Sequence, residues 1–210
     1  MRAKDRPTSR AGSAAGASPR ANATRAASTP ANATRTAAVP AAEAAAAHRE
    51  RPLPLLLVDI DGVISLFGFE RAERPPGSFH WIDGMPHYLS ATAAGHLREL
   101  EGEFELVWAS GWEERANEYL PHLLGVRELE HLRFERAVGR ANAHWKLDAI
   151  EAHAGERALA WVDDAFNDAC QAWAHARTAP TLLVQTEPAS GITPQEVRLL
   201  RRWARSAAIG

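Results

Sequence analysis

Continuous apolar runs, each followed by a stretch of helical periodicity, constrain this chain more than any other feature. Leu53–Val58 is such a run, as expected of a strand covered on both faces. "FELVWAS" (104–110), a short "HLRF" (131–134), "RALAWVDD" (157–164) and "TLLVQT" (181–186) repeat it. Between them, Ser90 can cap a helix over 91–101 with Ala94, Leu97 and Leu100 along one side. "GWEERANEYLPHLLG" reads as a helix that stops at Pro121 or Gly125, and "HWKLDAIEAHAG" as a helix over 145–154 closed by Gly155. Thr193, Pro194 and Glu196 carry the cap, first-turn proline and capping box of a last helix, which runs to Ala207 with Val197, Leu200 and Ala204 on one side. Strand–helix alternation predicts an α/β fold: a doubly wound, Rossmann-like parallel sheet of about five strands with helices on both faces.

Residues 1–50 are of another kind. They hold eight of the 24 Lys/Arg and three of the 26 Asp/Glu, so this segment is net +5 and the remainder net −7. They contain no Leu, Ile, Phe, Trp or Tyr, and the phrase "ANATR" occurs at 21–25 and 31–35. Such a segment buries too little apolar surface to offset its ordering entropy, so 1–50 is expected to be a disordered Ala/Arg/Ser/Pro-rich tail, with at most a transient helix over 41–47. It makes a poor secretory signal; its acid-poor, Arg-rich composition is shared by organelle transit peptides and by untargeted tails. Nowhere do about 18 consecutive apolar residues occur, which argues against a membrane role. The single cysteine, Cys170, excludes an internal disulfide framework and fits a reducing compartment, so the expected location is cytoplasmic. Residues 51–210 are then the folded domain.

Three of the apolar strands end in potential chemistry. "PLLLVDIDGV" finishes on Asp59 and Asp61, "ELVWAS" on Ser110 and "LAWVDD" on Asp163 and Asp164. Doubly wound sheets bind ligands beyond the carboxyl ends of their strands, near the point where strand order reverses. Carboxylates converging there would repel one another unless a cation lay between them, and oxygen donors with few other ligands point to Mg²⁺, commonly shared with a phosphate. An aspartate can attack phosphorus directly, and a carboxylate two residues on can protonate the leaving oxygen and later activate water. A serine hydroxyl and a lysine would steady the charge of the transition state.

These four segments resemble the motifs of the haloacid dehalogenase (HAD) superfamily: "LLLVDIDGV", "ELVWAS", the Lys of "HWKLDAI", and "LAWVDD", in the family's order. The resemblance implies Asp59 as nucleophile, Asp61 as acid/base, Ser110 as phosphate hydrogen-bonder, Lys146 as charge clamp and Asp163 as Mg²⁺ ligand. Asp59 and the backbone carbonyl of Asp61 complete the implied metal set, with Asp164 in support and Asp168 the alternative register. Ser110, Gly111, Trp112 and Lys146 are the implied substrate contacts. Dehalogenase members lack an acid at the position of Asp61, so its presence points to phosphate chemistry. "VWASGWEERAN" with "ITPQEVRLLRRWA" is similar to a smaller HAD branch associated with RNA-repair proteins. Between Gly62 and Phe104 there is room for a flap hairpin around "SFHWIDGMPHYLS" and one helix, but for no large cap.

The implied activity is that of a Mg²⁺-dependent phosphatase acting on a phosphorylated small molecule or on a nucleic-acid end. A non-catalytic binding module on the same fold is the rival from another class, and it would need neither Asp59 nor Asp61. Ser110 can also be read as a helix cap, and Lys146 as a solvated helix residue with Arg140 in its place. Trp112 and Trp81 are expected to border the open site, where either can stack on a base. The histidines show no ligand spacing; His144 is the one nearest Lys146. No Lys/Arg stripe is visible outside 198–205, so the folded part lacks an obvious nucleic-acid footprint.

Overall fold

The computed structural model describes residues 52–135 and 142–207. The expectations for the tail at 1–50 and for Arg140 lie outside these residues. The strands are β1 (Leu55–Val58), β2 (Ser65–Leu66), β3 (Gly77–Ile82), β4 (Met85–Ser90), β5 (Glu105–Trp108), β6 (Glu130–His131), β7 (Leu159–Asp163) and β8 (Thr181–Gln185). The α-helices are α1 (Ala93–Leu100), α2 (Arg115–Leu124), α3 (Leu147–Ala154), α4 (Asp168–Ala176) and α5 (Pro194–Ala207).

Five strands form one parallel sheet in the order β6-β5-β1-β7-β8. The β1 run is apolar throughout because both faces are covered. Leu56 and Val58 join the buried side chains of α1, α2 and α5, while Leu55 and Leu57 join those of α3 and α4. The order reverses at β1, with β5 on one side and β7 on the other, so three motif-bearing strand ends are neighbours. Among the described residues no helix is long and apolar enough to cross a membrane.

One alternative left open by the sequence is decided by the structure, and one helix is new. α2 runs through Pro121 and ends at Gly125, whose φ of 66° lets its N–H reach the Pro121 carbonyl at 3.0 Å. Leu120 is fully buried and Leu123 and Leu124 pack against the same core, which offsets the hydrogen bond a proline removes. α4 has no counterpart in the sequence reading, although Asn167 caps it by accepting the Cys170 N–H at 3.2 Å. The capping box at the start of α5 is present: Glu196 Oε2 accepts from the Thr193 N–H at 2.9 Å.

The expected flap is the hairpin β3–β4, to which β2 adds an antiparallel third strand. Its turn, Asp83–Gly84, has φ of 51° and 78°, the left-handed pair that a tight two-residue hairpin requires. The turn is tied to α2: Asp83 accepts from Arg115 Nη1 and from the Tyr119 hydroxyl, each at 2.7 Å. Among the described residues no large cap is inserted between β1 and β5 or between β5 and Lys146.

The Tyr119 hydroxyl and then the Arg115 guanidinium hold the Asp83 carboxyl below its usual range. A depressed folded-state pKa means that the latch is intact above the ordinary aspartate value of about 4 and is lost as pH falls through the lower value. Amide exchange over residues 77–90, corrected for intrinsic rate, should therefore lose protection in acid. Asp83→Asn should already show the low protection at neutral pH, and equal protection in the variant would mean the latch holds nothing.

Candidate active site

Backbone pairing sets the three strand ends at one level. The Asp59 N–H donates to the Val162 carbonyl at 3.0 Å, and the Ala109 N–H to the Val58 carbonyl at 2.9 Å. Asp59, Ser110 and Asp163 are thereby brought together, all buried. Lys146 closes the short 3-10 turn Ala143–Lys146, which is fastened by the Ala143 N–H to the Ala165 carbonyl at 2.8 Å. Its ammonium is 2.9 Å from Asp59 Oδ2 and 2.7 Å from Asp163 Oδ2, with 3% of the residue exposed. Lys146 is an internal clamp, not a solvated helix residue.

One carboxylate oxygen each from Asp59, Asp163 and Asp164 lies within 4.8 Å of the others. Asp168, the alternative register, is the first residue of α4 and is not part of this trio. The loop after β1 is shaped to admit Asp164. Gly62 has φ of 73°, and a Cβ there would lie 2.4 Å from Asp164 Cγ. The Thr186 hydroxyl, beyond β8, holds that loop by donating to the Gly62 carbonyl at 2.9 Å.

Asp61 stands apart from the trio. Trp112 Nε1 donates to its Oδ2 at 3.0 Å, and His87 Nδ1 from the flap lies 3.7 Å from its Oδ1. All eight residues expected at the site, Asp59, Asp61, Ser110, Gly111, Trp112, Lys146, Asp163 and Asp164, line one cavity of about 550 Å³, with Phe67, Ile82, Met85, Arg115 and Trp145 among its other walls. Trp81 and His144 are not among its lining residues. Trp81 is 76% exposed on the far side of the flap, and His144 contacts Asn167.

Residues 55–197 match the family model described as the HAD domain in Swiss Army Knife RNA repair proteins. The chain belongs to that family. No curated protein matches it. Among solved structures, a hypothetical protein from Xanthomonas campestris is similar at 12% identity over 74% of this chain and 83% of that one, with a TM-score of 0.38.

The family is one of HAD-type phosphohydrolases, and the electrostatics of this HAD domain suit a cation. Five carboxylates, Asp59, Asp61, Asp83, Asp163 and Asp164, line the cavity with two cations, Lys146 and Arg115, and Arg115 is paired with Asp83. Burial and then the Asp59 charge push the Asp163 carboxyl up to about 6, although Lys146 and the Ala165 N–H pull the other way. Asp164 is raised by the same two causes. Partial burial, followed by the Asp59 charge, raises Asp61 against the opposing Trp112 hydrogen bond. Burial lowers Lys146, but Asp59 and Asp163 together outweigh it and its pKa is raised. A trio of oxygen donors with excess negative charge fits a hard divalent cation. Asp163 already accepts from Lys146 and from the Ala165 N–H, so Asp59 and Asp164 are the less committed donors.

Among the cavity residues that sequence reasoning did not single out, His87 is the one placed against Asp61. It belongs to the flap, far along the chain from each motif, and no spacing marks it. The Trp112 side chain, in turn, engages Asp61 through its indole edge.

Removing one partner of a buried ion pair leaves uncompensated charge, typically costing about 3–5 kcal/mol. Lys146→Met should lose stability on that scale in metal-free buffer, measured by urea unfolding. An unchanged midpoint would show that Asp59 and Asp163 do not depend on the lysine.

Proposed function

We propose that this chain is a Mg²⁺-dependent phosphomonoesterase working through an aspartyl-phosphate on Asp59. The observation that carries the proposal is the placement of Asp59 just past the end of the central strand, within the carboxylate trio and against Lys146, with a second acid, Asp61, held separately two residues on.

Asp59, Asp164 and Asp163, with the Asp61 carbonyl, are the residues that would hold the ion. When bound, Mg²⁺ would neutralise these carboxylates and the phosphoryl oxygens between them. Lys146 holds Asp59 in place for in-line attack on phosphorus, and the Ser110 hydroxyl hydrogen-bonds a phosphoryl oxygen. As the Asp59–phosphorus bond forms and the ester P–O bond breaks, Asp61 gives its proton to the leaving oxygen. Asp61 then takes a proton from water, which attacks the aspartyl-phosphate and releases inorganic phosphate, restoring both aspartates. Residues 51–210 are the proposed catalytic domain.

A narrower substrate, a phosphorylated nucleic-acid end, is favoured by the family's association with RNA repair and by a cavity of about 550 Å³ without a cap, bordered by exposed Phe67 and Met85. The basic run near the C-terminus adds little to this reading, because Arg201 pairs with Glu103 at 2.6 Å.

With Mg²⁺, the full chain and residues 51–210 should both hydrolyse 4-nitrophenyl phosphate, and Asp59→Asn should abolish turnover. Preference for the nucleic-acid reading would appear as higher kcat/KM on 3′- or 5′-phosphorylated oligonucleotides. Equal inertness of wild type and variant on all these substrates would overturn the catalytic proposal. Independently of turnover, Mg²⁺ at about tenfold its Kd should stabilise the protein by roughly 1.4 kcal/mol. A thermal melt should show that gain, and Asp164→Asn should diminish it.

A further inference from the structure

Asp61 lies beyond the end of β1, and the Lys146 ammonium pairs with Asp59 and Asp163 instead. Among the described residues, the hydrogen-bond donor placed on its carboxylate is Trp112 Nε1, at 3.0 Å from Oδ2. An indole N–H donates and cannot accept. Oδ2 is thereby committed as an acceptor, which favours the transferable proton on Oδ1. Trp112 is itself held: it is 7% exposed, and the His87 ring meets it edge-on at 4.8 Å between centroids. The His87 ring is fixed in turn by the Ser65 hydroxyl, 3.0 Å from Nδ1. Ser65 is in β2 and His87 in β4, so the flap sheet supports the indole that supports the acid.

We propose that Trp112, steadied by His87 of the flap, is a positioning residue that aims the Asp61 carboxyl at the leaving-group oxygen. The inference rests on the phosphatase reading above. It assigns the indole to orienting the acid, not to stacking on substrate, and it makes the flap part of the acid–base apparatus. During phosphoryl transfer the proton passes from Asp61 to the departing oxygen as the ester P–O bond breaks and the Asp59–phosphorus bond forms. A poorly aimed acid hurts most where the leaving group is a strong base, because a stable leaving anion needs little protonation.

The test compares kcat/KM on 4-nitrophenyl phosphate and phenyl phosphate, using the full chain with Mg²⁺. Each variant is read as the ratio of its two rates, so a reduced folded fraction cancels. Asp61→Asn sets the limit, losing far more activity on phenyl phosphate than on the nitrophenyl ester. Trp112→Phe, which keeps the ring and removes the donor, should lose about tenfold more on phenyl phosphate, a share of the roughly 10²–10⁴ that a positioned acid supplies. His87→Ala, which leaves the indole but withdraws its support and the imidazole 3.7 Å from Oδ1, should move the ratio in the same direction by less, and serves alone if Trp112→Phe does not fold. Equal losses on both substrates, or a change in KM with kcat intact, would overturn the positioning role. If Asp61→Asn separates the substrates and these variants do not, this inference alone falls. If Asp61→Asn fails to separate them, the acid role of Asp61 falls with it, and wild type inert on both esters and on phosphorylated oligonucleotides would overturn the phosphatase reading as well.

Discussion

A single buried ammonium organises the site. Lys146 lies between Asp59 at the end of β1 and Asp163 at the end of β7, at 2.9 and 2.7 Å. Two carboxylates enclosed in low dielectric would otherwise repel each other and shed their charge. The lysine neutralises one unit of that charge and no more, so the cavity keeps an excess of negative charge in a set of hard oxygen donors. Asp164 can join the set only because Gly62 has no side chain to displace it. One strand order, one lysine and one glycine thus account for the whole trio.

The sheet explains why these groups meet at all. Because β1 is flanked by β5 and β7 in parallel register, the residues that follow all three strands emerge at the same edge. The covering of β1 on both faces makes its backbone a rigid mount. The flap then folds from the segment following β1 and is latched through Asp83 to α2, the helix that follows Ser110 and Trp112. Asp61, Trp112 and His87 come from three separate segments: Asp61 and Trp112 meet across the ends of β1 and β5, and His87 joins them from the latched flap.

Much of this was legible in the residues. Strands buried on both faces write themselves as unbroken apolar runs, and the capping box at Thr193 and Glu196 and the closing glycine at 155 are local signals with local causes. Pro121 left the end of α2 open between 121 and 125 because its cost is local, whereas the burial of Leu120 that outweighs it is not. α4 escaped notice because its alanine-rich stretch buries little beyond Cys170. The aspartates were found because they interrupt apolar strands. His87 interrupts nothing: on a hairpin strand it is one polar residue among several.

The sequence alone determined the parallel α/β architecture, the family, and the set of carboxylates, serine and lysine at its strand ends, since each of these follows from short-range pattern and order along the chain. Tertiary structure decided how the groups divide. Lys146 goes to Asp59 and Asp163, Asp164 completes the trio in place of Asp168, and Asp61 is left to Trp112 and His87. Those choices depend on distances between residues as far apart in the chain as Asp59 and Asp164, set by sheet register and flap docking, to which no local pattern of side chains responds.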